Sequence, residues 1–241
     1  MCVIYLAINQ RDDFPLILLA NRDEYYDRPT APVAWWDDAP DVFAGRDLVA
    51  GGTWLGTNRS GRFAAVTNYR DPGAPIGKKS RGHLVSDFLG STIPNEEYLE
   101  NVRDDASAYS GFNLLTGEVR GDLTEIFYYS NRGDEIRRLE PGVYGLSNNF
   151  LDVPWPKVQR GRERFRDLLK SPSLERDRFF ELLKDESLAE DTDLPDTGIG
   201  YEREKLLSGI FIRTPVYGTR SSSVLTMNSS FEIELEERVF V

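Results

Sequence analysis

Cys2 is the only cysteine in the chain and stands directly behind Met1. Cysteine is small enough for the initiator methionine to be trimmed, and trimming would leave Cys2 as the N-terminus. That one residue would then hold a nucleophilic thiol and an α-amine. An α-amine titrates at about 7.7–8.0, which makes it a usable general base near neutral pH. A lone cysteine at this position is therefore a self-contained nucleophile–base pair. Other routes are scarce. His83 is the only histidine, so a multi-Cys/His zinc site is impossible, and a Cys-His couple would have to use a residue that follows Ser80-Arg81-Gly82. There is no Walker A sequence, and Gly51-Gly52-Thr53-Trp54-Leu55-Gly56 lacks the strand–helix setting of a dinucleotide fingerprint. The expected chemistry needs no metal and no organic cofactor.

An N-terminal cysteine needs supporting groups. A guanidinium nearby favours the thiolate, and Arg22 and Arg220 are the candidates. A carboxylate must orient the α-amine, for which Asp23 is the natural choice. The tetrahedral intermediate of acyl transfer needs donors aimed at its oxyanion. Asn68 and Asn148 each end an apolar strand, where side chains reach a sheet edge.

The elements that would position these residues can be read from the pattern. Cys2–Ile8 reads as a buried strand, Arg11-Asp12-Asp13 as a turn and Pro15–Ala20 as a returning apolar run, so residues 2–22 form a hairpin. The ends of a hairpin are neighbours, which brings Asn21-Arg22-Asp23-Glu24 beside the thiol. Residues 25–52, with Pro29, Pro32, Pro40 and Gly51-Gly52, read as irregular. Thr53–Asn58 and Phe63–Thr67 read as a second hairpin, followed by a loop over Asn68–Gly82. Short helices are expected at His83–Leu89 and Asn95–Arg103, then four strands at Phe112–Thr116, Glu125–Tyr129, Ile136–Leu139 and Val143–Ser147. Two helices follow: Pro156–Leu169, with proline in its first turn, and Ser173–Leu183, with a serine cap. The acidic stretch 185–204 reads as a surface loop, and Ser208–Ile212, Ser222–Met227 and Phe231–Phe240 as closing strands. Strands at both ends around helical blocks favour a layered α+β domain over alternating βαβ winding.

Composition bounds the class. The 241 residues fit one domain over 1–241, and 40% hydrophobic with 29% charged residues indicates a globular chain. A net charge of −11 without a basic patch argues against nucleic acid as a partner. No apolar run approaches the roughly 18–20 residues of a membrane span. The start lacks the basic region of a signal peptide, and a single cysteine fits a reducing compartment, so a cytoplasmic location is expected.

Several of these stretches together resemble a known family. Asn21-Arg22-Asp23-Glu24 is the signature of the NRDE proteins, the family of transport and Golgi organisation protein 2. The resemblance spans essentially the whole chain. It includes Met1-Cys2, the Gly51–Gly56 stretch, Gly61–Arg70, Gly145-Leu146-Ser147-Asn148, Trp155-Pro156-Lys157 and Tyr217-Gly218-Thr219-Arg220-Ser221-Ser222. It implies a four-layer αββα sandwich of the N-terminal nucleophile (Ntn) hydrolase type, with mostly antiparallel sheets. Its functional analogues would be the penicillin V acylase and bile salt hydrolase group. The resemblance implies catalytic roles for Cys2, Arg22, Asp23, Asn68, Asn148 and Arg220, which occur in the matching order. One departure stands out: Arg22 and Asp23 are adjacent here, and adjacent residues on a strand face opposite sides. Glu24 is thus an alternative to Asp23 as the inward carboxylate. The expected function is hydrolysis of a linear carbon–nitrogen bond in a small-molecule amide. Animal members are linked to Golgi organisation, lipid homeostasis and haem mobilisation, which implies an alternative: a non-catalytic carrier of haem or acyl lipids, amphipathic ligands, on the same fold.

Overall fold

The computed structural model describes residues 2–120 and 123–241. The N-terminal hairpin forms as expected, from β1 (Cys2–Ile8) and β2 (Leu16–Tyr25), and β2 runs far enough to carry Asn21–Glu24 within the strand. Then come β3 (Thr30–Trp35), β4 (Val42–Asp47), β5 (Leu55–Asn58) and β6 (Arg62–Asn68). The first helices are α1 (Gly82–Gly90) and α2 (Asn95–Asp104). The middle strands are β7 (Phe112–Arg120), β8 (Leu123–Ser130), β9 (Ile136–Arg138) and β10 (Gly142–Leu146). Helices α3 (Pro156–Leu169), α4 (Arg176–Leu183) and α5 (Tyr201–Leu206) precede β11 (Tyr217–Met227) and β12 (Ile233–Val239).

The strands make two antiparallel sheets, ordered β10-β1-β2-β11-β12 and β3-β4-β5-β6-β7-β8-β9. Alternation along each strand sorts side chains into layers. Ile4, Leu6, Ile8, Leu16 and Leu18 of the first sheet meet Leu55, Phe63, Ala65 and Leu115 of the second, forming the core between the sheets. The opposite face of the first sheet, through Val3, Tyr5, Ala7, Ile17 and Leu19, packs on Phe165, Phe179, Phe180 and Leu183 of α3 and α4. The outer face of the second sheet packs on Leu84, Val85, Phe88 and Leu99 of α1 and α2. The result is the expected αββα sandwich, and the sheets stay open rather than closing into a barrel. No helix among the described residues is long and apolar enough to cross a membrane.

Four local expectations are corrected. Residues 25–52 are not irregular throughout: they contain β3 and β4. Pro32 is accommodated because β3 is the edge strand, where a missing ladder donor is tolerated, and the register shifts between Ala31 and Ala34. The helix expected from a Ser173 cap begins at Arg176 instead, preceded by Glu175 in extended conformation. Residues 208–212 form no strand. Their apolar side chains are buried, but the backbone bonds to Asp185 and to the Thr219 hydroxyl rather than to a ladder of its own. The acidic loop also contains a short turn at Asp191–Asp193 and helix α5.

Helix α3 can lie close on β1 because Gly161 has no side chain. A Cβ there would overlap the Tyr5 ring, whose hydroxyl donates to the Lys157 carbonyl at 2.8 Å. Gly161→Ala should lower stability by about 1–3 kcal/mol through overpacking. Gly90→Ala, in open space at the end of α1, should be neutral or stabilising by up to about 1 kcal/mol. Urea unfolding of both variants checks this, and equal effects would contradict the close-approach account.

Candidate active site

Cys2 opens β1 directly opposite Arg22, so both side chains lie on the face turned toward the second sheet. The Arg22 guanidinium stacks on the Trp54 ring at 4.1 Å and donates to the Thr30 hydroxyl at 3.0 Å. A cavity of about 270 Å³ opens over this pair, and Cys2, Arg22, Asp23, Asn68 and Arg81 all line it. Burial raises the Cys2 thiol above its usual range, opposed by the nearby charge of Arg22. Burial likewise lowers the Arg22 guanidinium.

The ladder also addresses the choice between Asp23 and Glu24. Asp23 lies one position beyond the Cys2–Arg22 pair, on the side of the Cys2 backbone nitrogen, and its own backbone N–H donates to the Cys2 thiol. Its side chain is only 2% exposed and accepts from the Thr219 hydroxyl at 2.7 Å. Glu24 shares the face of Arg22 and also lines the cavity, but its carboxylate accepts from the Tyr25 backbone N–H at 2.9 Å and faces Arg28 at 4.0 Å. Burial raises the Asp23 carboxyl, with Lys157 and the Thr219 hydroxyl opposing the rise.

The two asparagines are brought together by a chain of bonds that joins the sheets. Ser147, just past β10, donates to the Cys2 carbonyl at 3.1 Å, and its own carbonyl accepts from Thr67 at 2.7 Å. Asn148 is wholly buried and donates through Nδ2 to the Asn68 carbonyl at 2.9 Å, while its carbonyl accepts from the Arg70 N–H at 2.7 Å. Asn113 extends the chain to Thr67, at 3.1 Å, and to the Tyr128 hydroxyl, at 2.8 Å. Asn68 therefore faces the cavity, and Asn148 sits behind it and fixes its backbone.

Arg220 is placed differently. It lies at a register shift in β11, and its guanidinium donates to the carbonyls of Tyr25, Arg28 and Val241. It shares a separate small cavity with Arg22 and does not line the one that holds Cys2. His83 is also elsewhere, with its Nε2 2.7 Å from the Ala50 carbonyl oxygen.

Lys157 was not singled out from the sequence. It is 1% exposed at the start of α3, and its Nζ has no hydrogen-bond partner among the described residues. It lies within electrostatic reach of Asp23, Arg70, Cys2 and Glu204, and burial pushes its ammonium down to about 8. One signal was available: a lysine in a helix's first turn opposes the macrodipole and so needs another reason to be there. Behind it, Arg70 and Glu204 form a buried ion pair. Glu204 also accepts from the Thr197 hydroxyl, and Arg70 stacks on Trp155 at 4.7 Å.

A family model described as Transport and Golgi organisation 2 matches residues 1–241. The Transport and Golgi organization 2 homolog of Mus musculus is 34% identical over 257 residues, covering 99% of this chain and 92% of the mouse protein. Among solved structures, the Caenorhabditis elegans N-acylethanolamine-hydrolyzing acid amidase ortholog aligns over 100% of both chains at 10% identity, with a TM-score of 0.53. A variant of conjugated bile acid hydrolase from Clostridium perfringens aligns over 99% of this chain and 96% of its own at 10% identity, with a TM-score of 0.54. At that identity the two structures speak for a shared Ntn-hydrolase fold and no more.

The position of Lys157 has a measurable consequence. Free lysine titrates at about 10.4, so between about pH 8 and pH 10.4 the unfolded chain binds a proton that the folded chain does not. This group's contribution to stability therefore rises with pH across that window and is flat below it. Urea unfolding at pH 7 and pH 9.5 should show wild type gaining on Lys157→Met at the higher pH. A difference independent of pH would contradict the buried-ammonium account.

Proposed function

We propose, from the premise that the chain belongs to the Transport and Golgi organisation 2 family, that it is an N-terminal cysteine hydrolase of linear amide bonds. Cys2 is the nucleophile after removal of Met1. The observation that carries this reading is the register of β1 on β2: it puts the sole thiol against Arg22 in a cavity and Asp23 beside the Cys2 backbone nitrogen.

In this reading the α-amine takes the thiol proton as sulfur attacks the amide carbonyl carbon, forming a C–S bond and a tetrahedral oxyanion. Asn68, at the cavity wall, is the donor assigned to that oxygen, and Asn148 fixes the Asn68 backbone from behind. Collapse breaks the C–N bond, and the α-ammonium gives its proton to the departing amine. Water then attacks the thioester, the α-amine accepts the water's proton, and the carboxylic acid leaves as the thiol is restored. Asp23 orients the amine. Arg22 favours the developing thiolate, which matters because burial otherwise holds the thiol protonated. Arg220 acts through the backbone turn it clamps rather than at the reacting atoms. A reducing compartment such as the cytosol keeps the thiol in its active form.

A second reading has its own support. A thiol raised by burial is also suited to a quiet pocket, and the mouse relative is named for transport and Golgi organisation rather than for hydrolysis. On that reading the chain carries haem or an acyl lipid without turnover.

A panel of amides and thioesters separates the two. Turnover should appear with wild type, vanish with Cys2→Ala, and fall by about 10²-fold or more with Asp23→Asn. Turnover that survives Cys2→Ala would remove Cys2 from the mechanism. Haem or acyl-lipid binding without any turnover would favour the carrier.

A further inference from the structure

The walls of the Cys2 cavity hold four cations, Arg22, Arg28, Lys79 and Arg81, and three carboxylates, Asp23, Glu24 and Asp47. Two of the cations are spoken for. Arg28 pairs with Asp47 at 2.8 Å, and Lys79 pairs with Asp105 at 2.6 Å on the exposed rim. Arg22 and Arg81 differ, because neither forms an ion pair with a carboxylate among the described residues. The charge of Arg22 is held by the Trp54 ring and the Thr30 hydroxyl. Arg81 donates to the Gly111 carbonyl at 3.1 Å. Both are sufficiently withdrawn from water that burial lowers their guanidinium pKa.

Keeping a desolvated guanidinium without a carboxylate is costly unless another anion uses it. Arg81 is also firmly placed. It precedes Gly82, whose backbone abuts Gly52 so closely that a Cβ on Gly52 would overlap it, and the Gly82 carbonyl accepts from the Thr53 N–H at 3.2 Å. The charged and titratable groups that face Arg81 come from several elements: Cys2 on β1, Glu24 and Arg28 at the end of β2, and Asp71 in the loop after β6. Those that face Arg22 are Cys2, Glu24, Asp47 and Arg220. Glu24 turns to Arg28, and Asp71 pairs with Arg132 at 2.5 Å. Asp47 and Asp71 are thus committed to other cations, Asp23 accepts from the Thr219 hydroxyl on the far side of the strand, and Glu24 stands closest to Arg28.

We infer that the ligand of this cavity carries an anionic group, a carboxylate, sulfonate or phosphate, which sits against Arg22 and Arg81 beside the Cys2 thiol. This names the substrate class for the hydrolase reading and rests on that reading's choice of cavity. Guanidinium suits such groups because its planar fork of donors matches two oxygens at once. Ile76 and Gly77, on the loop after β6, also line the cavity.

Because Cys2 is the only cysteine, its alkylation reads the potential in the cavity directly, with no turnover required. The experiment compares iodoacetate, an anion, with iodoacetamide, its neutral counterpart, by the rate of mass gain on the intact protein. The iodoacetate-to-iodoacetamide rate ratio should exceed that of N-acetylcysteine in the same buffer by roughly 10-fold, and should fall as salt is raised. Arg81→Gln should bring it back toward the N-acetylcysteine value. A wild-type ratio equal to that of N-acetylcysteine and insensitive to salt would overturn the inference, even if Arg81→Gln does not fold. The two proposals also fail separately. Amide turnover with a flat ratio would sink the anion site alone, and a high ratio without turnover would sink hydrolysis alone.

Discussion

The pairing of Cys2 with Arg22 is the constraint on which the site depends. Side chains on a strand alternate with a period of two, so a slip of one residue between β1 and β2 would carry the thiol from the cavity to the helix side of the sheet. What forbids the slip is the core on both faces. Ile4, Leu6 and Ile8 are required between the sheets, while Val3, Tyr5 and Ala7 are required under α3 and α4. The apolar pattern of one seven-residue strand thereby fixes the orientation of a single reactive group at its end. Ser147 adds a lock from the other neighbouring strand by holding the Cys2 carbonyl.

The same sheet separates two kinds of charge. On the inner face Arg22 reaches into the cavity over Trp54. On the helix face Asp23, Lys157, Arg70 and Glu204 form a buried group of two acids and two bases, three of them on elements distant in sequence. Burying such groups contributes little net stability, since desolvation consumes most of the Coulombic gain. Its effect is on geometry and charge: Asp23 is held beside the Cys2 nitrogen, and the ammonium behind it favours the ionised carboxylate. Preorganisation of this kind, fixed before any ligand arrives, is what acyl transfer requires of a site.

Much of this was legible in the sequence. Two apolar runs about a polar turn marked the N-terminal hairpin, one-sided apolar spacing marked helix α3, and that hairpin alone sufficed to bring Arg22 and Asp23 to Cys2. The strands within 25–52 were hidden because Pro29, Pro32, Pro40 and two glycines mask a pair of short strands, one of them an edge that tolerates proline. The run at 208–212 misled in the opposite direction, since apolar residues buried beneath helices look the same as a strand in a short window. Long-range placement was the real limit. Arg81 and Lys157 stand at the starts of α1 and α3, and apart from the unfavourable place of a lysine in a helix's first turn nothing local announces their approach to the site. The asparagines were named from the sequence but their relation was not: only the folded backbone makes Asn148 the support of Asn68. Arg220 was named from the sequence too, but only the folded chain shows its guanidinium held on the carbonyls of Tyr25, Arg28 and Val241.

The account turns on whether Cys2 presents an α-amine at all. The most direct measurement is the mass of the N-terminal peptide from protein expressed without a tag ahead of Met1. The account predicts a peptide that begins at Cys2 with an unmodified amine and a reduced thiol. A peptide that quantitatively retains Met1 would contradict it, because the nucleophile would then lack its base.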